Sequence, residues 1–154
     1  MEHGTIEREI QIDASPATVF EVITSPEHLK EWWPDEADVE ATPGAKGKLF
    51  FGDRSAGDAQ VAQLTVVDVV PHELFSFRWI HPEGEEAREG NSLLVTFELR
   101  PSGGGTLLRM TETGFREMGW EVALLEETYR SHVEGWDHFL PQLVDYSARV
   151  EVAS

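Results

Sequence analysis

Leu108, Met110 and Glu112 share one strand parity, so the carboxylate of Glu112 should turn the same way as two apolar neighbours. A lone charge on an inward face is costly unless it is paired. Placed there, a carboxylate can anchor a ligand hydroxyl or amine, or take a proton as a general base. Its partner could be Arg8, which falls on the inward face of its own strand, or water at an open end of the sheet.

The other reactive residue types form no recognisable constellation. The six histidines do not lie at the compact spacings of a zinc site. His132 and His138 are poorly placed to share a helix face; Glu134 and His138, at i and i+4, do share one, but a third ligand is lacking. We read these as solvent-facing polar residues and expect no metal and no cofactor. Ser76, Ser92 and Ser131 have no ordered His and Asp around them, which leaves a hydrolase triad unsupported. Gly103-Gly104-Gly105 lacks the Lys and Ser/Thr that follow in a phosphate loop and reads as a turn. With no cysteine, disulfides, thiol nucleophiles and thiolate metal sites are excluded.

A chain of 154 residues fits one domain, residues 1–154, and 12 Lys and Arg against 29 Asp and Glu give a formal charge of −17. Such a field repels phosphate backbones and anionic lipid, so nucleic acid and membrane surfaces are poor partners. No apolar run reaches the roughly 20 residues of a membrane span. Met1 to Thr5 carries no basic region or apolar signal core, and a cytoplasmic location is the default expectation.

The elements that must position Glu112 follow from periodicity. Ile6, Ile10 and Ile12 set one face of a strand over Thr5 to Ile12. Ser15-Pro16 and Ser25-Pro26 each read as an N-cap followed by proline at the first helical position, opening two short helices in tandem, the second ended by Pro34. From Gly47 to about Pro101 the period changes to that of three or four strands. Leu49 with Phe51, Phe75 with Phe77 and Trp79, and Leu93 with Val95, Phe97 and Leu99 keep parity, whereas Gln60 to Val70 does not and should be bulged. Glu83 to Gly90 should form a loose hairpin loop and Ser102 to Gly105 a tight one. From about Met118 the spacing of Tyr129, Val133, Trp136, Leu140 and Leu143 predicts a long amphipathic helix, bent by Pro141 and weakened at Gly135.

Particular residues narrow this order of elements. The stretch Ile6 to Pro16, then Val19-Phe20, then Ser25-Pro26-Glu27-His28-Leu29-Lys30-Glu31-Trp32-Trp33-Pro34, resembles the N-terminal signature of the heat-shock-protein-90-activator-homologue branch of the START-like SRPBCC superfamily. Val70-Pro71-His72-Glu73-Leu74 with Phe77 and Trp79, Thr113-Gly114-Phe115, and His132 with Gly135-Trp136 extend the resemblance over nearly the whole chain. It implies an α+β helix-grip fold, like that of the birch-pollen allergen, with a curved antiparallel sheet around the C-terminal helix. The segment Glu117 to Thr128 is longer than the family's usual link into that helix.

The resemblance also implies an apolar pocket between helix and sheet, with lipid, sterol or polyketide-like molecules as its ligand class. The expected lining is Trp32, Trp33, Leu49, Phe51, Phe75, Phe77, Trp79, Val95, Phe97, Met110, Trp120, Trp136 and Leu140, with Glu112 as the polar anchor. Ligand binding without catalysis is the leading expectation. A polyketide-cyclase-like enzyme using the same pocket and a module stimulating a chaperone ATPase are the alternatives, since one fold hosts many activities. An open sheet also has edges through which a homodimer could form.

Overall fold

The computed structural model describes residues 4–52, 57, 60–82 and 84–153. Met1 to His3, and Glu83 of the acidic loop, lie outside the described residues. The element order is β1 (Thr5–Ile12), α1 (Pro16–Thr24), α2 (Pro26–Trp32), β2 (Glu36–Asp38), β3 (Lys46–Phe51), β4 (Gln60–Val70), β5 (Leu74–Trp79), β6 (Leu93–Ser102), β7 (Gly105–Thr113) and α3 (Val122–Ala153). All seven strands form one antiparallel sheet in the order β1-β7-β6-β5-β4-β3-β2. The first strand therefore pairs with the last, and β1 and β2 are the edges.

Local chemistry sets these elements. Ser15 caps α1, its Oγ accepting from the Thr18 N–H at 3.2 Å. Ser25 ends α1 and begins α2 through its backbone alone: its N–H donates to the Glu21 carbonyl, and its own carbonyl accepts from Leu29, with no side-chain cap. The expected bulge in β4 lies between Val66 and Asp68, where the pairing with β5 shifts register and Ser76 Oγ accepts the Asp68 N–H. Gly103 and Gly104, with φ of 56° and 84°, make the two-residue turn that returns β6 into β7. The short strand β2 was not foreseen; three residues are too few to show a period.

The long helix begins at Val122 rather than near Met118. A 3-10 turn over Arg116–Met118 comes first, and Gly119, at φ 75°, adopts a left-handed conformation that no helix can carry through. Beyond it α3 runs as one helix through Gly135 and Pro141 to Ala153. It approaches β1, α1 and α2 most closely, and the space between it and the middle of the sheet is filled by side chains. Phe75, Phe77, Val95, Phe97, Leu108 and Met110 are almost wholly buried there, each large side chain worth about 1.5–3 kcal/mol of transfer free energy.

Candidate functional site

One line of inward side chains crosses the sheet at the level of Glu112. Ile6 on β1, Glu112 on β7, Val95 on β6, Phe77 on β5 and Val66 on β4 are successive partners in register. Four of these are apolar and buried, and Glu112 among them is 0% exposed. Its carboxylate is nevertheless satisfied. Trp79 Nε1 donates to Oε2 at 2.7 Å, Trp136 Nε1 donates to Oε1 at 2.8 Å, and His132 Nδ1 lies 2.9 Å from Oε1 and 3.0 Å from Oε2. Indole N–H groups can only donate, so both oxygens act as acceptors and the His132 Nδ1 contact is that of a donor.

Two elements deliver those donors. Trp79 ends β5, and His132 and Trp136, at i and i+4 on α3, face the sheet together. With Nδ1 held by Glu112, the ring nitrogen left to His132 is Nε2, on the opposite side of the imidazole. The His132 side chain keeps 16% of its surface exposed. Around this polar group the aromatics are dense: the Trp33 ring lies 5.1 Å from Trp136, 5.2 Å from Trp79, 5.9 Å from Phe77 and 6.1 Å from Phe51, and it stacks on Trp32 at 5.6 Å.

Two spaces adjoin the group. An inner cleft of about 100 Å³ lies between Trp33, Trp79, Trp136 and Phe139, with Gly135 on its helical side. An outer hollow of about 340 Å³ opens between β4, the end of β5 and α3, walled by Phe51, Trp79 and Ile80. Phe51, Trp79 and His132 line both, so the imidazole stands where the two meet. The inner cleft is far below the roughly 300–1,000 Å³ of small-molecule sites, whereas the hollow lies at the low end of that range.

The residues singled out from the sequence therefore divide. Trp33, Phe51, Trp79 and Trp136 line the inner cleft, and Glu112 lies directly behind it. Trp32, Leu49, Phe75, Phe77, Val95, Phe97 and Met110 are buried as packing. Leu140 instead borders a separate groove of about 430 Å³ between β1 and α3. Trp120 is partly buried in the segment ahead of α3 and borders neither space. Arg8 is not the partner of Glu112. Because β1 is an edge strand beside α3, its guanidinium reaches Asp137, donating from Nε at 2.8 Å and Nη2 at 3.2 Å.

His132 is the functional candidate that the sequence reading placed wrongly, in solvent. The signal was its spacing: Tyr129, His132, Trp136, Leu140 and Leu143 follow the 3.6-residue period of the buried face of α3. Glu134 and His138 are exposed, and the His138 ring contacts Gln142 instead. Among the described residues, no group of three or more His, Asp or Glu could hold a metal ion, and no helix is long and apolar enough to cross a membrane.

A curved antiparallel sheet closed by a long C-terminal helix, with two short helices after the first strand, defines the helix-grip fold, and solved structures share it. A protein of Mesorhizobium loti is 25% identical, with a TM-score of 0.74 over 94% of this chain and 97% of that one. The Aha1 dimer from Colwellia psychrerythraea is 19% identical, with a TM-score of 0.69 over 92% of this chain and 93% of that one. DynU16, a protein in the dynemicin biosynthetic locus, is 21% identical at a TM-score of 0.68, over 93% of this chain and 46% of its own. A family model for activator of Hsp90 ATPase homolog 1-like proteins matches residues 13–148, and the chain belongs to that family. No curated protein matches it.

Proposed function

We propose that this chain binds a small, uncharged, largely apolar molecule in the outer hollow, against Phe51 and Trp79, with His132 as the polar contact. The observation that carries this reading is the buried Glu112 carboxylate holding His132 at the hollow's wall. A buried carboxylate is seldom the most stable way to fill a core, so its presence in an apolar row speaks for a task beyond packing. A carboxylate that fixes Nδ1 leaves Nε2 to accept a hydrogen bond from a ligand. The dimensions favour a compact ligand: the hollow of about 340 Å³ lies at the low end of small-molecule sites, and the adjoining cleft of about 100 Å³ adds little room for a sterol or long acyl chain.

The test is a binding titration followed by tryptophan emission, since Trp79 walls the hollow. Naphthol should bind and naphthoate should not, because the chain carries a formal charge of −17 and, among the described residues, the hollow's lining holds no Lys or Arg. His132→Phe should weaken naphthol about tenfold while the protein stays folded. Naphthol without effect on the unaltered protein, or oleate bound in its place, would sink the reading.

The same pair favours a second reading, proton transfer in the hollow with His132 as the base and Glu112 stabilising the imidazolium. It predicts turnover that His132→Gln abolishes. Stimulation of a chaperone ATPase takes its support from the family's name alone, and association of two copies from the dimer of the Colwellia relative.

A further inference from the structure

The outer edge of β1 is closed over one half and open over the other. The Tyr129 hydroxyl donates to the Thr5 carbonyl at 2.9 Å, and Nη1 of Arg8 donates to the Glu7 carbonyl at 2.8 Å. Neither donor belongs to β7, so these two carbonyls turn away from it, and strand alternation turns the backbone N–H and C=O of Glu9 and Gln11 the same way. Among the described residues β1 ends the sheet, and no strand meets those groups.

The open half stands over an apolar groove. Ile6 and Ile12 are 1% and 0% exposed, whereas Ile10, on the same face, is only partly buried. With Leu140 and Val144 it lines the groove of about 430 Å³ between β1 and α3, which shares no lining residue with the outer hollow. The strand and the helix run in the same direction here, Thr5 meeting Tyr129 and Arg8 meeting Asp137. The Arg8–Asp137 pair therefore marks one end of the groove, and Gln11 and Asp145 the other.

Charge decides what can lie along this edge. Glu7 and Glu9 share the outward face of β1, and Glu9 and Asp145 are exposed. Two copies joined through β1 would bring their glutamates together in chains that each carry a formal charge of −17. A segment with lysine or arginine at alternate positions would set those against the glutamates and turn the apolar side chains between them into the groove.

We propose that the edge of β1 docks an extended basic segment of another protein. It pairs with Glu9 and Gln11 as an added strand, with an apolar side chain seated on Ile10, Leu140 and Val144.

The probe is a capped peptide alternating lysine with valine or leucine, titrated into the unaltered protein at low salt and followed by amide hydrogen exchange. Without peptide, the amides of Glu9 and Gln11 should exchange faster than those of Arg8 and Ile10, and bound peptide should protect them. A glutamate counterpart of the peptide should not bind, and added salt should weaken the lysine peptide. Methylating the peptide nitrogens that face β1 should cost about tenfold in affinity, a loss that charge attraction alone would not produce. Val144→Lys should cost about tenfold as well, by filling the groove and repelling the peptide. The exchange measurement needs no variant. No binding at millimolar peptide, equal binding of the glutamate peptide, full affinity after methylation or in Val144→Lys, or unchanged exchange at Glu9 and Gln11 overturns the proposal. So does a dimer of this chain formed through β1, seen in sedimentation together with protection of those two amides before any peptide is added.

Discussion

Nδ1 of His132 lies 2.9 Å from Oε1 of Glu112, and this contact ties the closing helix to the middle of the sheet. Glu112→Gln puts an amide NH2 where one acceptor stood, facing an indole N–H that cannot reverse. It should lower the unfolding free energy by about 2–4 kcal/mol. His132→Phe should cost about 1–2 kcal/mol, since the two indoles still serve the carboxylate. In a double-mutant cycle followed by urea unfolding, the pair should couple by about 1–3 kcal/mol. Additive effects would mean that the two side chains do not sense each other.

The seam between β1 and α3 should respond to acid. Arg8 hydrogen-bonds the Asp137 carboxylate and holds it below its ordinary range. A carboxyl group whose folded pKa is lowered contributes stability above its unfolded value, roughly 3.9, and loses that contribution as pH falls through the folded value. The side chains are 34% and 54% exposed, so solvent screens the pair. Asp137→Asn should therefore cost less than about 1 kcal/mol. The gap from the unaltered protein should stay constant from about pH 5 to 8 and close below about pH 4; a gap that widened in acid would contradict the assignment.

Gly135 faces open space, with no atom near the position a Cβ would take. Gly135→Ala should stabilise α3 by about 1 kcal/mol through helix propensity alone. The added methyl narrows the inner cleft and does not reach the outer hollow, so naphthol affinity should be unchanged. A loss of affinity would place the ligand in the inner cleft.

Pro141 interrupts the hydrogen-bond ladder of α3 at an exposed position and leaves the Asp137 carbonyl without its helical donor. Pro141→Ala restores that bond and should raise stability by about 1–3 kcal/mol, read as a higher Tm. An unchanged or lower Tm would show that the ring's packing in the β1–α3 groove offsets the missing bond.

Much of this site was legible from alternation. Phe75, Phe77 and Trp79 share a face because strand residues two apart must, and the same rule turned Glu112 inward beside Met110. Its partners were not legible. Parity says which face a side chain takes, not which residue of another element meets it, and Arg8 was as admissible as His132 until α3 was docked. His132 was hidden by its type, since a polar residue on a long helix is usually solvated, although its spacing from Trp136 placed it on the buried stripe. The start of α3 was misplaced because Met118 and Trp120 are apolar in type, while the deciding feature is the left-handed backbone of Gly119.

The pairing of β1 with β7 governs when this protein can fold. Thr5 meets Thr113 and Ile12 meets Thr106, contacts spanning about a hundred residues of chain. During synthesis β1 must wait until every other strand has been made, and α3, which covers the aromatic face, comes later still. Ile6 and Ile12, together with the inward face of the growing meander, therefore remain uncovered through most of translation. Folding should be slow relative to helical proteins of this length, limited by the search that closes this long loop, and most exposed to aggregation just before the last helix docks.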